Sequence, residues 1–265
     1  MDIFNVKGLL VAFLIFVPLE RLLALRRDQK ILRRHFFTDV TYALLNGVLI
    51  RGGLTFMMAG AMATLGRLVP VRLEAAVAGQ PVWLQVIEII VIADLGFYGA
   101  HRAFHTIPFL WRFHAVHHSI EELDWLAAHR VHPFDQALTK AASLIPFLLL
   151  GYSGVAVGVF ALVYQAHAFL LHSNVRLDFG PLKWVLASPQ FHHWHHANER
   201  AAYDKNFAGQ LSLLDAMFGT LHLPGRDVPA RYGIDEPVSG NYFAHLMHPF
   251  MLGKKAEADA VGTGA

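Results

Sequence analysis

Four separate apolar stretches limit what this chain can become. A helix crossing the hydrocarbon core of a bilayer needs roughly 20 mostly apolar residues. Residues 8–25 (GLLVAFLIFVPLERLLAL) approach that length if Glu20 and Arg21 lie at the interface. A second stretch runs from Val40 to Leu65, interrupted at Arg51-Gly52-Gly53, and a third from Val82 to about Ala103, carrying Glu88 and Asp94. From Leu138 to Leu171 Lys140 is the only charge, over a length too great for one span, and Gly151-Tyr152-Ser153-Gly154 is expected to fold it into a helical hairpin. With 55% hydrophobic and 16% charged residues and a mean hydropathy of +0.39, a soluble helical protein with buried core helices is the weaker alternative. The expected class is all-α, an integral membrane helical bundle of about four transmembrane helices with a cytosolic histidine-rich helical cap.

Charge bears on orientation rather than on nucleic acid. The net charge is only +2, and basic residues form no stripe with interleaved aromatics. No small-residue cleavage pattern follows the first stretch. The run Arg26, Arg27, Lys30, Arg33 and Arg34 is the flank of a retained anchor and places that end in the cytoplasm. Three regions are expected: N-terminal membrane helices over 1–80, a catalytic domain over 81–222, and an extension over 223–265 that is partly disordered after Leu252. There is no internal repeat.

The chain has no cysteine, which removes disulfides, iron–sulfur clusters, thiolate haem and cysteine-bound zinc. Any metal must be held by imidazole or carboxylate. Of the 17 histidines, 13 fall between His101 and His196. His101 and His105 are four apart at the expected cytoplasmic end of the third apolar helix and share a face. His114, His117 and His118, at spacings of three and four, lie on one side of a helical turn. His192, His195 and His196 repeat that pattern, with His193 pointing elsewhere. Eight co-facial imidazoles exceed one tetrahedral site, so two metal ions are the economical reading. Left uncoordinated, the same crowd would pay heavily in desolvation or mutual repulsion.

His167 and His172, five residues apart, could complete a set of ten if a local bulge brings both to one side. His129 and His132, beside Pro133, are as well suited to supporting hydrogen bonds as to ligation, and His35, His222, His245 and His248 receive no role. Metal-bound histidines usually donate their second nitrogen to a carboxylate, carbonyl or water. Asp94 and Tyr98, on the face of His101, are candidate orienters, the alternative for Asp94 being an arginine partner in the core. Asp204, Asn206 and Asp215 could serve likewise.

These residues carry a resemblance to the fatty acid hydroxylase and sterol desaturase superfamily of membrane-bound non-haem di-iron enzymes. It covers roughly Asp94 to Thr220: Asp94-x3-Tyr98-x2-His101-Arg102-x2-His105, HxxHH at His114, Arg130-x-His132-Pro133, His172-x-Asn174, HxxHH at His192, Asp204-x-Asn206 and Asp215-x2-Phe218-Gly219-Thr220. The resemblance implies a cap over two iron ions, O2 as co-substrate, and oxidation of a C–H bond of a lipid by hydroxylation, desaturation or ether cleavage. By position it implies ligation by His101, His105, His114, His117, His118, His192, His195 and His196, with His172 and His167 added. Asp94, Tyr98, His132, Asn174, Asp204 and Asn206 would support them. Family members take electrons from cytochrome b5, ferredoxin or a reductase, and the donor is expected as a separate protein, since no haem-binding segment is visible.

Two other classes fit the residues less well. A membrane zinc hydrolase normally sets a carboxylate base beside its ligands, as in HExxH, and no histidine box here contains an acid. A metal transporter would line a mid-membrane path with ionisable groups, whereas these cluster at helix ends. The lipid itself is not legible.

Overall fold

The computed structural model of the chain describes residues 6–225, 227–238 and 240–251. The tail after Leu252, expected to be disordered, lies outside the described residues. The elements are α1 (Val6–Leu22), α2 (Phe36–Leu65), α3 (Val71–Ala78), α4 (Val82–Thr106), α5 (Pro108–His118), α6 (Pro133–Leu148), α7 (Gly154–His172), α8 (Pro189–His195) and α9 (Ser212–Met217), with short 3-10 turns between them and a helical segment over 242–251. Among the described residues the only β pairings are two isolated bridges, Ala24 with Val175 and Ala197 with Tyr232.

Four of the helix starts have a clear local cause. Pro108, Pro133 and Pro189 open α5, α6 and α8, where the missing N–H costs nothing and φ is preset. Ser153 and Ser188 cap α7 and α8 by accepting from Ala156 N and Phe191 N. The expected hairpin is present as α6 and α7, and Gly151 turns the chain in the left-handed region at φ 76°.

Among the described residues three helical stretches are long and apolar enough to cross a membrane: Phe36–Leu68, Val82–Thr106 and Gly154–His172. The first apolar stretch contributes a shorter helix, with 17 described residues. Glu20 near its end is buried and accepts from Trp125 N (2.8 Å) and Asn174 N (3.1 Å), so this helix docks through a carboxylate on the 3-10 turn Trp125–His129 and on the segment after α7. The interruption expected at Arg51-Gly52-Gly53 does not occur, and α2 runs on through it. A helical glycine costs only about 1 kcal/mol, and breaking the backbone ladder in hydrocarbon costs more because no water replaces the lost bonds.

The inward faces follow helical periodicity. In α2 the buried residues are Asp39, Tyr42, Ala43, Asn46, Gly47 and Ile50, one stripe against α6 and the 3-10 turn Trp125–His129. Beyond Ile50 the helix buries nothing, and Phe56 is 80% exposed. A run of exposed apolar residues on a long helix is a lipid-facing surface. In α4 the stripe is Gln85, Ile89, Ala93, Asp94, Tyr98, His101 and Phe104. α4 packs on α5, α6 and α7. It meets α6 so closely that a Cβ on Gly96 would collide with the Ala142 carbonyl, and Ser143 Oγ donates to Ala93 O at 2.8 Å across the contact. This brings the histidine-bearing ends of α4 and α7 under α5 and α8.

Arg33 departs from its expected role as an orientation charge. It is buried, with Nε and Nη2 on Asp124 (2.8 and 2.6 Å) and Nη2 on Asp39 (2.5 Å). Arg130 approaches Asp39 from the other side, through Nε at 2.6 Å and Nη2 at 2.9 Å. Two arginines and two aspartates thus neutralise one another in the interior, which is the condition under which buried charge is tolerated.

Candidate metal centre

The buried ends of α4, α5, α7 and α8 converge on two adjoining groups of imidazoles. One comprises His101, His105, His114, His118 and His195, and the other His117, His172, His192 and His196. Within each group the available nitrogens lie within 4.8 Å of one another. The two HxxHH segments do not each face one site as expected from their spacing. On α5, His114 and His118 turn to the first group and His117 to the second. Around α8 the assignment is reversed, with His195 in the first group and His192 and His196 in the second. Packing α5 against α8 therefore divides both triplets between the groups, and the His118 and His196 rings stack at 4.7 Å where the groups touch.

Ring orientation is set by the nitrogens that face away. His101 Nδ1 donates to Phe207 O (2.7 Å), His117 Nδ1 to Arg130 O (2.9 Å), His172 Nδ1 to Ala168 O (2.8 Å) and His195 Nδ1 to Lys205 O (2.9 Å). His114 Nδ1 donates to the Asp135 carboxylate at 2.7 Å. A carbonyl can only accept, so His101, His117, His172 and His195 carry the proton on Nδ1 and present a bare Nε2 lone pair; burial pushes Asp135 well above the usual carboxylate range, and His114 takes the same form where that acid is ionised. Yet His101 Nε2 and His114 Nε2 are 3.0 Å apart, and His117 Nε2 and His172 Nε2 are 3.4 Å apart. Facing lone pairs at such distances repel, and a cation between them turns the repulsion into ligation. Among the described residues His105 Nε2, buried beside them, has no hydrogen-bond partner. Both groups could therefore hold a metal ion, with neutral nitrogen donors of the type that suits iron, copper or zinc.

Electrostatics agree. Burial, reinforced by the neighbouring histidines, pushes His114, His117, His118, His192, His195 and His196 well below the usual imidazole value of 6.5. They are neutral at physiological pH, the form that ligates.

His167 is not brought to either group: its Nε2 bonds to Ala187 O at 2.8 Å. α7 stays regular to its end, so residues five apart do not converge, and only His172 reaches the site. His193 faces away, held by Ser173 O and Tyr232 Oη, and His129 and His132 also stay outside. His132 instead caps α6, with Nδ1 accepting from Phe134 N.

The expected orienters act at one remove. Among the described residues Asp94 neither touches a histidine nor pairs with arginine. Its carboxylate accepts from Gly209, Gln210 and Leu211 N at 2.7, 3.0 and 2.6 Å. Asp215 accepts from Phe207 N and Ala208 N, both at 2.8 Å, so together the two acids pin the loop whose Phe207 carbonyl holds His101. Tyr98 Oη joins this framework through Thr220 Oγ1 at 2.9 Å. Asp204 lies 3.6 Å from His105 Nδ1, and Asn206 ties Phe191 O to the His222 backbone. Asp204 and Asn206 both hold positive φ, which their short polar side chains tolerate. Asn174 locks the Arg26 backbone and does not contact the site. The direct partner that sequence reading missed is Asp135; its signal is an acid in the first turn of the helix opened by Pro133.

A cleft of about 430 Å³ reaches the first group, with His105, His118 and His195 at its floor and Thr106, Trp111, Tyr203 and Ile234 among its walls.

The chain is similar in sequence to known proteins. The chain is 35% identical over 185 residues to the ornithine lipid hydroxylase OlsE of Rhizobium tropici, an alignment covering 69% of this chain and 54% of that protein. It is 37% identical over 151 residues to alkylglycerol monooxygenase of Danio rerio and 31% over 153 residues to that of Homo sapiens, each covering 55% of this chain and 32% of the relative. The chain thus spans about half the length of the first relative and a third of the others. No solved structure matches. The fatty acid hydroxylase family model matches residues 86–220, just over half of the chain and the whole span from α4 to Thr220 that builds both histidine groups. The chain belongs to the fatty acid hydroxylase family.

Proposed function

We propose that this protein is a membrane-bound di-iron oxidoreductase that uses O2 to oxidise a C–H bond of a lipid, with hydroxylation preferred to desaturation or ether cleavage. The observation carrying the reading is the pair of adjoining all-histidine groups with inward-facing lone pairs. His101, His105, His114, His118 and His195 would hold one iron, and His117, His172, His192 and His196 the other. When bound, the pair supplies the electrons and Lewis acidity needed to activate O2, chemistry that belongs to the cofactor.

The chain's own residues position and exclude. Phe207 O, Arg130 O, Ala168 O, Lys205 O and Asp135 keep the proton on Nδ1 of their histidines, so each ring offers Nε2 inward. Such supporting bonds typically raise metal affinity about 10–100-fold. Trp111, Tyr203 and Ile234 give the cleft apolar walls that hold a lipid near the first group and limit water. The relatives named for ornithine lipid and alkylglycerol oxidation support a lipid substrate. Electrons would come from a separate protein such as cytochrome b5, ferredoxin or a reductase. The metal groups would face the cytoplasm, a reading that rests on Arg26, Arg27, Lys30 and Arg34, since Arg33 is internal.

Metal analysis with Mössbauer spectroscopy of detergent-purified, iron-57-labelled protein tests this. About two irons per chain in a coupled, oxygen-reactive centre supports the reading. Stoichiometric zinc persisting under iron-replete expression, with no O2 consumption, overturns it.

A further inference from the structure

Outside the three candidate spans the chain presents a second apolar surface. It is formed by residues 180–187, which include a 3-10 turn, and by α9 with the residues around it. Leu182, Trp184 and Val185 are 60, 53 and 44% exposed, and Leu213, Met217 and Phe218 are 43, 67 and 47% exposed. The two segments are joined by Ser212 Oγ on Lys183 O and by Ala187 N on Gln210 O, at 2.7 and 2.8 Å.

Its depth is fixed by what it packs against. α4 and α7 both run toward the histidine groups, ending near His105 and His172. The second surface is tied to α4 at Asp94, through three backbone N–H groups, and at Tyr98, whose ring stacks on Phe218 at 5.0 Å. It is tied to α7 at His167 through Ala187 O. Asp94 lies seven residues before His101, about 10 Å back along the helix at 1.5 Å per residue. The surface therefore sits beside the spanning segments, below the metal groups. The helices it is tied to expose apolar residues of their own, Val91 and Leu95 on α4 and Val159 and Val163 on α7.

Non-helical backbone at that depth is tolerated only where its polar groups are satisfied by protein. Asp94 does this for Gly209, Gln210 and Leu211. The charged residues within 180–187 and 211–218 are Lys183 and Asp215; Asp215 is buried on Phe207 N and Ala208 N, and a lysine can extend its ammonium to the headgroups while its stem stays in an apolar layer. A tryptophan beside it is the usual companion at such an interface.

We propose that the surface formed by residues 182–186 and 213–218 is embedded in the bilayer beside α4 and α7, giving the cap a non-spanning, lipid-contacting face of its own. The inference stands apart from the metal chemistry.

Because the chain has no cysteine, a single introduced cysteine takes a nitroxide label uniquely. Leu182→Cys, Leu213→Cys and Met217→Cys would be labelled, reconstituted in phosphatidylcholine vesicles and compared with Arg200→Cys, an exposed cap position. Collision with O2, which concentrates in lipid, should exceed collision with a water-soluble nickel chelate at the three positions and fall below it at Arg200→Cys. Nickel access equal to that of Arg200→Cys would put the surface in water. Protection from both reagents would mean that protein, such as a second copy, covers it. Either result overturns the proposal. Three independent sites keep the test decisive if one variant fails to elute as the parent does.

Discussion

His117 and His118 are consecutive in the chain, and their side chains enter different histidine groups, with ring centroids 5.7 Å apart. His118 joins four partners and His117 joins three. Replacing either with alanine should abolish activity while leaving the other group nearly complete. Iron per chain is expected to fall from about two to about one in each variant, with Mössbauer spectra that differ between them. Identical spectra and unchanged iron in both would contradict the division into groups.

Acid should release metal and unfold the protein together. Six of the clustered histidines outside the spans are held well below 6.5 by burial and by one another. In the unfolded chain they bind protons below 6.5 and in the folded chain they do not. Folding stability and metal retention are therefore fully present above that value and lost as pH falls beneath it. Because several groups titrate together, the loss should be steep. Thermal unfolding and metal release measured from about pH 7.5 to about pH 5 check this, and a flat profile would be inconsistent with buried neutral ligands.

His167 and His172 should behave differently despite their shared helix. His172→Ala removes a member of the second group, whereas His167→Ala removes a hydrogen bond to Ala187 O. Iron content should drop only in His172→Ala. His245→Ala is expected to keep its iron but to lose about 1–3 kcal/mol of stability, since that imidazole is buried against Tyr42 Oη.

Asp135→Asn keeps the shape of the acid and puts an amide, which donates as well as accepts, against His114 Nδ1 at the 2.7 Å contact. Metal affinity should fall on the order of 10–100-fold, read by competition with a chelator, while the helical signal is retained.

Asp39 lies outside the matched family region and supports both Arg33 and Arg130, whose carbonyl in turn orients His117. Asp39→Ala leaves two buried guanidinium groups short of a partner, a change that typically costs about 3–5 kcal/mol. Asp39→Asn, closer in shape, should fold and lose metal from the second group before the first, as iron titration would report.

The spacing of residues was enough to single out the eight boxed histidines, which the fold gathers into two adjoining groups able to hold metal, because helical periods of three and four keep such side chains close together. Length and apolarity likewise located α2, α4 and α7, since the hydrocarbon thickness sets the span, and the break at Gly151-Tyr152-Ser153-Gly154 separated α6 from α7. Spacing could not divide each HxxHH between two groups, because that depends on how α5 crosses α8. It could not find Asp135 as the partner of His114, 21 residues earlier, nor Phe207 O as the partner of His101, because backbone carbonyls carry no side-chain signature. Arg33 reads in sequence as one more basic flank residue, and only packing against Asp39 and Asp124 makes it internal. Local periodicity and composition thus dictate the medium, the helices and the donor type. The pairing of donors, the orientation of their rings and the fate of Asp94 and His167 come from contacts between segments far apart in the chain, which no local pattern encodes.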